Sequence, residues 1–421
     1  LERRAVRGPW TLSGGSRDTL RCAVVIPALA ESAWLFDTLA DLAANAPAAL
    51  DATLVVAVVN HRADASATDQ ADNAATLEKL AVLQQQAPWL AVVDAASPGL
   101  ELPPGEGVGL ARRIGLDAAL RSMHERGADA GVLVSLDADT RVPPEYLSSI
   151  QRFFDEKPRW AAAIAYAHPL NGPEASAIAE YEIYLRHHEL GLRYAGSPYA
   201  FPTIGSTIAC TAEAYAAIGG MPRRQAGEDF YFLQQLAKTG RVERLDSVTV
   251  HPSARASHRV PFGTGARIAA HLERDAAPRG LYCTRTFEVL RQWLAWVNAH
   301  GMAESEAFLT AAAGIAPVLV DFLTANRFAE EWQRITRQAR SQERRLAAFH
   351  TWFDALRTLR CLHALREAGF PEQCWHEGVA ELFEMLAVSP NAPLEDTLNA
   401  KCAIVEQLRV LCGRKLRIKN S

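Results

Sequence analysis

Short apolar segments alternate with helical ones through the first 140 residues, and this alternation constrains the fold more than any other feature of the sequence. Each apolar segment is long enough for a strand that is buried on both faces. The four clearest are CAVVIP (22–27), TLVVAVV (53–59), LAVVD (90–94) and VLVSL (132–136). Strands separated by helices predict an α/β fold with a doubly wound, mostly parallel sheet.

The pattern changes along the chain and predicts three regions. Residues 1–20 form an N-terminal arm, and residues 21–275 contain the strands, with further candidates at AAAIAY (161–166) and SVTV (247–250). Later segments such as RFAEEWQRITRQ contain no strand-like run and have amphipathic helical spacing. We therefore predict an all-helical C-terminal domain over residues 276–421.

Composition and charge argue against several classes of protein. The 421 residues are 49% apolar with a formal net charge of −4, which fits a globular protein and not a general nucleic-acid binder. The seven cysteines lack C-x-x-C spacing, so we expect reduced thiols. The charged segment LERRAVRGPW at the start and the short apolar run at 311–325 predict neither a secretory signal nor a membrane span. We expect a cytoplasmic protein.

The segment VLVSLDADTR (132–141) places two carboxylates, Asp137 and Asp139, at the end of a predicted buried strand. Ligands of open α/β sheets bind at the carboxyl ends of the strands. Adjacent carboxylates repel each other unless a cation or several donors neutralise them, and their oxygens suit Mg²⁺ or Mn²⁺. A D-x-D pair alone is also common in turns, but the strand before it favours a site. Arg141 stands where phosphatases of the haloacid dehalogenase type require Thr or Val, so that reading is disfavoured.

Four segments, in order, resemble family 2 glycosyltransferases of the GT-A fold over about residues 20–270. They are CAVVIPALAES (22–32), GVGLARRIGLDAAL (107–120) before the D-x-D strand, GSTIACTAEAYAAIGGMP (205–222) on the acceptor side, and AGEDFYFLQQLAKTGRV (226–242) with a Glu-Asp pair. The resemblance implies a metal-dependent enzyme that moves a sugar from a nucleotide-diphosphate sugar to an acceptor hydroxyl. It does not extend to residues 271–421.

The resemblance also implies a divalent cation, Mn²⁺ or Mg²⁺, bound by Asp139. Asp137 is expected to reach either the cation or the donor ribose. Many family members complete the metal site with a histidine after the strand that follows the Glu-Asp helix. Here VTVHPSARASHR (248–259) offers His251 and His258. His251 is preferred because it stands at the strand end, and an ordinary surface histidine is the alternative.

Other residues are candidates for contacting the nucleotide sugar. Arg255 and Arg259 are suited to the diphosphate because Arg binds phosphate well, although both are also ordinary surface residues. Arg112, near a predicted helix start, is either a phosphate ligand or a routine exposed helix charge. By the resemblance, the residues that cradle the base and ribose are Pro27, Ala28 and Glu31.

The second strand departs from the family pattern. Family members commonly have an Asp-rich ending there, whereas this chain reads VVNHRADAS (58–66) and places Asn60 at the strand end. Asn60 is therefore only a candidate for binding the nucleotide. The identity of the base is left open.

Glu228 and Asp229 begin a predicted helix after the turn GGMPRRQAG. Acidic residues in a first helical turn are often simple capping residues. By the resemblance, Asp229 is the general base that deprotonates the acceptor hydroxyl in an inverting reaction, and Glu228 helps to orient the acceptor. A retaining reaction, which does not need this base, stays open.

Two alternatives to the leading hypothesis remain. One is a transferase-like domain that binds a nucleotide sugar or a partner without turnover. The other, a sugar-phosphate nucleotidyltransferase, is disfavoured because the first strand ends in IPALAES and not in a Gly-rich loop. A processive synthase is disfavoured because its Q-x-x-R-W sequence is not matched by RQWLAW (291–296).

The helical C-terminal region raises two further expectations. It is a candidate surface for homodimerisation. Its basic tail GRKLRIKN (413–420) is a candidate for peripheral contact with anionic lipid at the inner face of a membrane, although a solvated terminus is the default.

Overall fold

The computed structural model describes residues 5–16, 19–255 and 280–414. These fall into two compact units. The first contains the described residues up to 169 and residues 203–255, and it holds the sheet. The second contains residues 170–202 and 280–414 and is helical. The predicted domain boundary near residue 275 lies outside the described residues and stays a prediction.

A nine-stranded sheet forms the centre of the first unit, in the order β1-β4-β3-β2-β5-β8-β7-β9-β6. Six of the strands, β2, β3, β4, β5, β7 and β9, run in one direction. This confirms the predicted α/β fold with a mostly parallel sheet. The strands are β1 Leu12–Gly14, β2 Cys22–Ala28, β3 Thr53–Asn60, β4 Leu90–Ala95, β5 Val132–Ser135, β6 Thr140–Arg141, β7 Ala161–Tyr166, β8 Ile208–Thr211 and β9 Val242–Pro252.

The continuous apolar runs of the sequence became the central strands because a parallel strand is shielded on both faces. Every residue of β2 and β3 is buried. Their register is regular, from Cys22 opposite Thr53 to Ala28 opposite Val59. Alternating polar positions would have been expected for strands with one wet face, and none occurs in β2.

Helices connect the strands of the first unit. Two of them begin at side-chain caps: Ser66 accepts a hydrogen bond from the N–H of Asp69, and Thr211 accepts one from the N–H of Ala214. The helices are α1 Leu35–Ala43, α2 Pro47–Asp51, α3 Ala67–Gln84, α4 Val108–Glu125, α5 Tyr146–Asp155, α7 Ala212–Ile218 and α8 Glu228–Thr239, with a short 3₁₀ turn at Gly205–Thr207.

The second unit is built around aromatic side chains. Trp293 is fully buried and makes edge-to-face contacts with Phe308, Phe328 and Phe349 at centroid distances of 6.0–6.1 Å. The helices described are α6 Ala175–Tyr194, α9 Thr284–Ala299, α10 Ser305–Ile315, α11 Pro317–Ala325, α12 Phe328–Gln338, α13 Gln342–Trp352, α14 Ala355–Glu367, α15 Trp375–Met385 and α16 Leu398–Gly413.

Some elements differ from the sequence-based expectation. The predicted N-terminal arm contains β1, which pairs antiparallel with β4. Helix α6 lies between strands in the chain, yet it belongs to the helical unit because its apolar residues, such as Ile183 and Leu190, share a core with Val379 and Ile404. Amphipathic spacing shows that a helix has a buried face but not which other helix covers it.

The structure also shows the state of the cysteines and the character of the longer helices. All seven cysteines are free thiols, and five of them are buried. Among the described residues, no helix is both long enough and apolar enough to cross a membrane.

Candidate active site

Most of the predicted site residues lie at one edge of the sheet, where strands β2, β5 and β9 end. β2 and β5 pair in parallel, so their carboxyl ends are adjacent. Strand β6 pairs antiparallel with the end of β9, with Thr140 opposite Pro252. This pairing brings the chain after β9 beside the turn that carries Asp137 and Asp139.

Hydrogen bonds fix the turn between the two aspartates. The N–H of Thr140 donates to the carbonyl of Asp137 (3.2 Å). The hydroxyl of Thr38, on α1, donates to the carbonyl of Ala138 (2.8 Å) and lies 3.1 Å from that of Thr140. Thr38 is fully buried, so water does not compete for its hydroxyl. The turn is therefore held by α1 as well as by β5.

Arg112, on α4, connects three side chains at this edge. Its guanidinium donates to Glu228 (Nε–Oε1 2.9 Å), Asp137 (Nη2–Oδ1 2.5 Å) and the hydroxyl of Ser135 (2.5 Å). Burial alone would lower the pKa of Arg112, but the charges of Asp137 and Glu228 outweigh it and raise the pKa. Arg112 therefore stays charged and fixes both acids. Its contact with phosphate stays a prediction.

Gly205 and Ser206 complete the surroundings of Asp137. The hydroxyl of Ser206 donates to the second carboxylate oxygen of Asp137 (2.7 Å) and accepts from the hydroxyl of Thr140 (3.0 Å). A Cβ atom at Gly205 would lie 2.2 Å from Nη2 of Arg112, so a larger residue there would displace the guanidinium from its present position. Ser206 belongs to the segment GSTIACTAEAYAAIGGMP, but the sequence does not predict its hydrogen bond to Asp137.

Glu228 and Asp229 begin α8 directly after Gly227, whose φ of 72° favours glycine. Glu228 is buried, whereas Asp229 keeps some contact with solvent. Burial, and after it the charge of Glu228, raise the pKa of Asp229 to about 7. The N–H of Phe230 and the positive charge of Arg112 act in the opposite direction. Asp229 is therefore poised to exchange a proton near neutral pH.

Arg255, just after β9, joins two acids that come from different loops. Its Nε donates to Asp139 Oδ2 (2.8 Å), and its Nη2 donates to both carboxylate oxygens of Glu31 (2.6 and 2.7 Å). The guanidinium also lies 5.4 Å from the centroid of the exposed Trp34 ring. Each carboxylate of the D-x-D pair thus has an arginine partner: Arg112 for Asp137 and Arg255 for Asp139.

Helix α3 holds the turn that presents Glu31. Ala30 has a φ of 52°, a conformation that costs a non-glycine residue about 1 kcal/mol. The N–H of Ala30 donates to Asn73 (2.9 Å), and the N–H of Ser32 donates to Asp72 (3.1 Å). These side-chain acceptors offset the strain, and Glu31 is left 7% exposed.

The remaining residues predicted to cradle the nucleotide lie at strand ends. Pro27 and Ala28 are the last residues of β2, and both are buried. Asn60 ends β3, where its side-chain NH₂ donates to the carbonyls of Ala28 (3.1 Å) and Val58 (3.0 Å). Asn60 thereby ties β2 to β3. Contact between these residues and a nucleotide stays a prediction.

His251 lies on β9, opposite Arg141 of β6. Its Nδ1 is 2.9 Å from the carbonyl oxygen of Ala167, which leaves Nε2 as the nitrogen that could bind a metal. Its role as a ligand stays a prediction. The other candidates in this segment, His258 and Arg259, lie outside the described residues.

The donor set at this edge suits a hard divalent cation in its chemistry. Asp137 and Asp139 provide carboxylate oxygens from one turn, and such oxygens are preferred by Mg²⁺ and Mn²⁺. Among the described residues, the ligand atoms of Asp137, Asp139 and His251 are not within 4.8 Å of one another as a trio. Both carboxylates are instead neutralised by arginines. A cation at Asp139 would therefore share that residue with Arg255.

Comparison with known proteins adds fold similarity only. No protein-family model and no curated protein sequence matches the chain. Solved structures that match include residues 1–349 of TarS from S. aureus in complex with UDP-GlcNAc, at 14% identity over 94% of this chain and 93% of that one, with a TM-score of 0.40.

A second matching structure is the mannosyltransferase PcManGT from Pyrobaculum calidifontis in complex with GDP-Man and Mn²⁺. PcManGT is 16% identical to this chain, and the match covers 98% of this chain and 93% of PcManGT with a TM-score of 0.38. Both matching structures have TM-scores below 0.5. At such TM-scores they carry no argument about the chemistry of this chain.

Proposed function

We propose that this chain is a glycosyltransferase that uses a nucleotide-diphosphate sugar, assisted by a divalent cation. One observation carries the proposal: Asp229, whose pKa is raised to about 7, lies at the same edge of the sheet as the D-x-D turn. Arg112 links the two through Asp137 and Glu228. General base catalysis at neutral pH is most efficient when the pKa of the base lies near that pH.

In this proposal Asp229 accepts the proton of the acceptor hydroxyl as that oxygen attacks the anomeric carbon, which gives an inverting reaction. Glu228 helps to orient the acceptor, and Arg112 holds Glu228 in place. Asp139 and Asp137 are the residues that would hold the cation, with His251 as a further candidate. The cation would stabilise the charge that develops on the leaving diphosphate.

The donor class is proposed from the chemistry of the site, and the matching solved structures contain two different nucleotide sugars. The structure of TarS residues 1–349 is in complex with UDP-GlcNAc, and that of PcManGT is in complex with GDP-Man and Mn²⁺. The base specificity of this chain is open because β3 ends in Asn60, whose amide is bonded to the backbone. We propose a single transfer to a hydroxyl acceptor.

The proposal is tested by thermal unfolding of the purified chain with UDP, GDP, TDP or CMP, each with Mn²⁺ and with a chelator. A nucleotide at 100 times its Kd should stabilise the folded state by about 2.7 kcal/mol, which shifts the melting temperature clearly. We expect one nucleotide to give this shift and the chelator to remove it.

Absence of a shift with every nucleotide would contradict the proposed function. A shift without sugar transfer to any acceptor would instead favour the alternative of a domain that binds without turnover. Turnover is followed as release of the nucleoside diphosphate from a labelled donor. Asp139→Asn is the matched variant, and it should lose the cation-dependent part of the shift.

A further inference from the structure

Arg255 differs from Arg112 in how firmly it is enclosed, although both pair with carboxylates of the D-x-D turn. The side chains of Arg112 and Glu228 are each only 5% exposed. The side chain of Arg255 is 23% exposed, and that of its partner Asp139 is 21% exposed. Arg112 is thus part of the core, whereas Arg255 occupies the solvent-facing part of the site.

The contacts of Arg255 bring together two carboxylates that would otherwise repel each other. Glu31 belongs to the loop after β2 and Asp139 to the turn after β5. Three hydrogen bonds of 2.6–2.8 Å connect them through the guanidinium. A divalent cation placed between two such carboxylates would serve the same electrostatic purpose.

We propose that Arg255 is a built-in counter-ion that competes with a divalent cation for Asp139, and that a nucleoside diphosphate relieves this competition by taking over the guanidinium. The inference rests on the proposed function and describes how binding of the donor and binding of the cation are coupled. A guanidinium binds a carboxylate and a diphosphate through the same planar set of donors, so it can pass from one anion to the other.

The proposal explains why Asp139, a candidate ligand of the cation, is hydrogen-bonded to Arg255. With Arg255 on Asp139, a cation that approaches meets a positive charge and one occupied carboxylate oxygen. With Arg255 on a diphosphate, the competing positive charge moves away from Asp139, and the diphosphate adds negative charge beside it. Cation and diphosphate should therefore bind with positive coupling, which must be reciprocal.

The test measures Mn²⁺ affinity by electron paramagnetic resonance, without nucleotide and with a saturating nucleoside diphosphate. For the wild-type chain we expect weak Mn²⁺ binding alone and tighter binding with the diphosphate. For Arg255→Gln we expect about tenfold tighter Mn²⁺ binding alone, because a nearby positive charge is removed from a partly exposed site. The strengthening by the diphosphate should shrink in that variant.

Arg141→Gln is the matched control because Arg141 also lies at this edge, on β6, but its partners are Asp41 and Asp37. It removes the same charge without touching Asp139 and should leave Mn²⁺ affinity within about twofold of wild type. Arg255→Lys, which keeps the charge, should stay close to wild type without nucleotide. Asp139→Asn should abolish Mn²⁺ binding in every background, so that the signal of free Mn²⁺ stays at full strength.

The outcomes separate this inference from the proposed function. If wild type binds Mn²⁺ and diphosphate together but Arg255→Gln binds Mn²⁺ no more tightly than wild type, the competition does not exist and only this inference fails. The same conclusion follows if Arg141→Gln gives an equal gain. If no variant binds Mn²⁺ with any nucleoside diphosphate, the proposed function and this inference both fail.

Discussion

Asp229 and Glu228 are neighbours in the chain, yet their side chains have different surroundings. Glu228 is buried and shares a charge-assisted hydrogen bond with Arg112. Asp229 has no such partner cation at hydrogen-bond distance among the contacts described for it, and burial raises its pKa to about 7. In the proposed reaction, this difference favours Asp229 over Glu228 as the proton acceptor.

Replacing Asp229 with Asn should lower kcat by a factor of about 10² to 10⁴, the range that general base catalysis contributes. Donor affinity, measured by thermal shift with the nucleotide, should change little, because the amide keeps the shape of the carboxylate. The same measurement of kcat on Glu213→Gln, an acid at the start of α7, provides a control that should retain wild-type turnover. Full activity of Asp229→Asn would exclude the proposed base.

The pKa of Asp229 also predicts how activity depends on pH. Below an apparent pKa near 7, kcat/KM should fall about tenfold for each pH unit as the base becomes protonated. A profile that stays flat between pH 8 and pH 5 would contradict the assignment.

Stability gives an independent check on the same carboxyl. Its pKa is raised in the folded state from a usual 3.8, so the unfolded state releases its proton first as pH rises. Asp229 therefore lowers stability progressively between pH 4 and pH 7. Asp229→Asn should be at least as stable as wild type in urea at pH 8.

At the scale of secondary structure, the helical unit contains a buried histidine that the proposed chemistry does not use. His187, on α6, is fully buried, and its ring lies 5.6 Å from that of Phe287. Burial, and after it the charge of the adjacent His188, lower its pKa to about 3. His187 therefore remains neutral when the folded protein is at neutral or mildly acidic pH.

This histidine should make the helical unit sensitive to acid. Below pH 6.5 the unfolded chain gains a proton at His187 that the folded chain does not, so stability falls by at most about 1.4 kcal/mol per pH unit. Urea unfolding at pH 7.5, 6.5 and 5.5 measures the effect. Because other groups titrate as well, the informative quantity is the difference from His187→Gln, which should lose less stability on acidification. Equal slopes would contradict the prediction.

Secondary structure was also the level at which sequence reasoning was most successful. The apolar runs predicted β2, β3, β4, β5 and β7, because a strand buried on both faces appears in the sequence as an uninterrupted apolar run. The strand β8 was missed since only four residues, Ile208–Thr211, separate a 3₁₀ turn from α7. Its antiparallel pairing with both β5 and β7 depends on contacts distant in sequence.

For the whole molecule, the central question is how the chain divides. The chain passes from the strand-containing unit into the helical unit at residue 170 and returns at residue 203. Helix α6, within this segment, packs against α16 and α15 of the helical unit. A fragment of residues 1–275 would keep α6 but remove both of those helices. The apolar residues Ala179, Ile183 and Leu190, now buried, would then be exposed.

We therefore expect the fragment 1–275 to aggregate or to bind a hydrophobic dye strongly, whereas the full chain remains dispersed. Size-exclusion chromatography and dye fluorescence of the two proteins make the comparison. A dispersed fragment that binds no dye would show that α6 does not need the helices after residue 275, and would support the domain boundary predicted from the sequence.

The sequence by itself determined the α/β architecture, the position of the D-x-D turn and the acidic start of α8, because all three depend on local patterns. Tertiary structure decided which charges meet. Arg112 and Glu228 are 116 residues apart, and Arg255 and Glu31 are 224 apart. Such pairings depend on strand order and register, which no local pattern encodes. Electrostatic interaction falls with distance and depends on burial, so the environments of Asp229, Asp139 and Arg255 were fixed only when the fold brought these residues together.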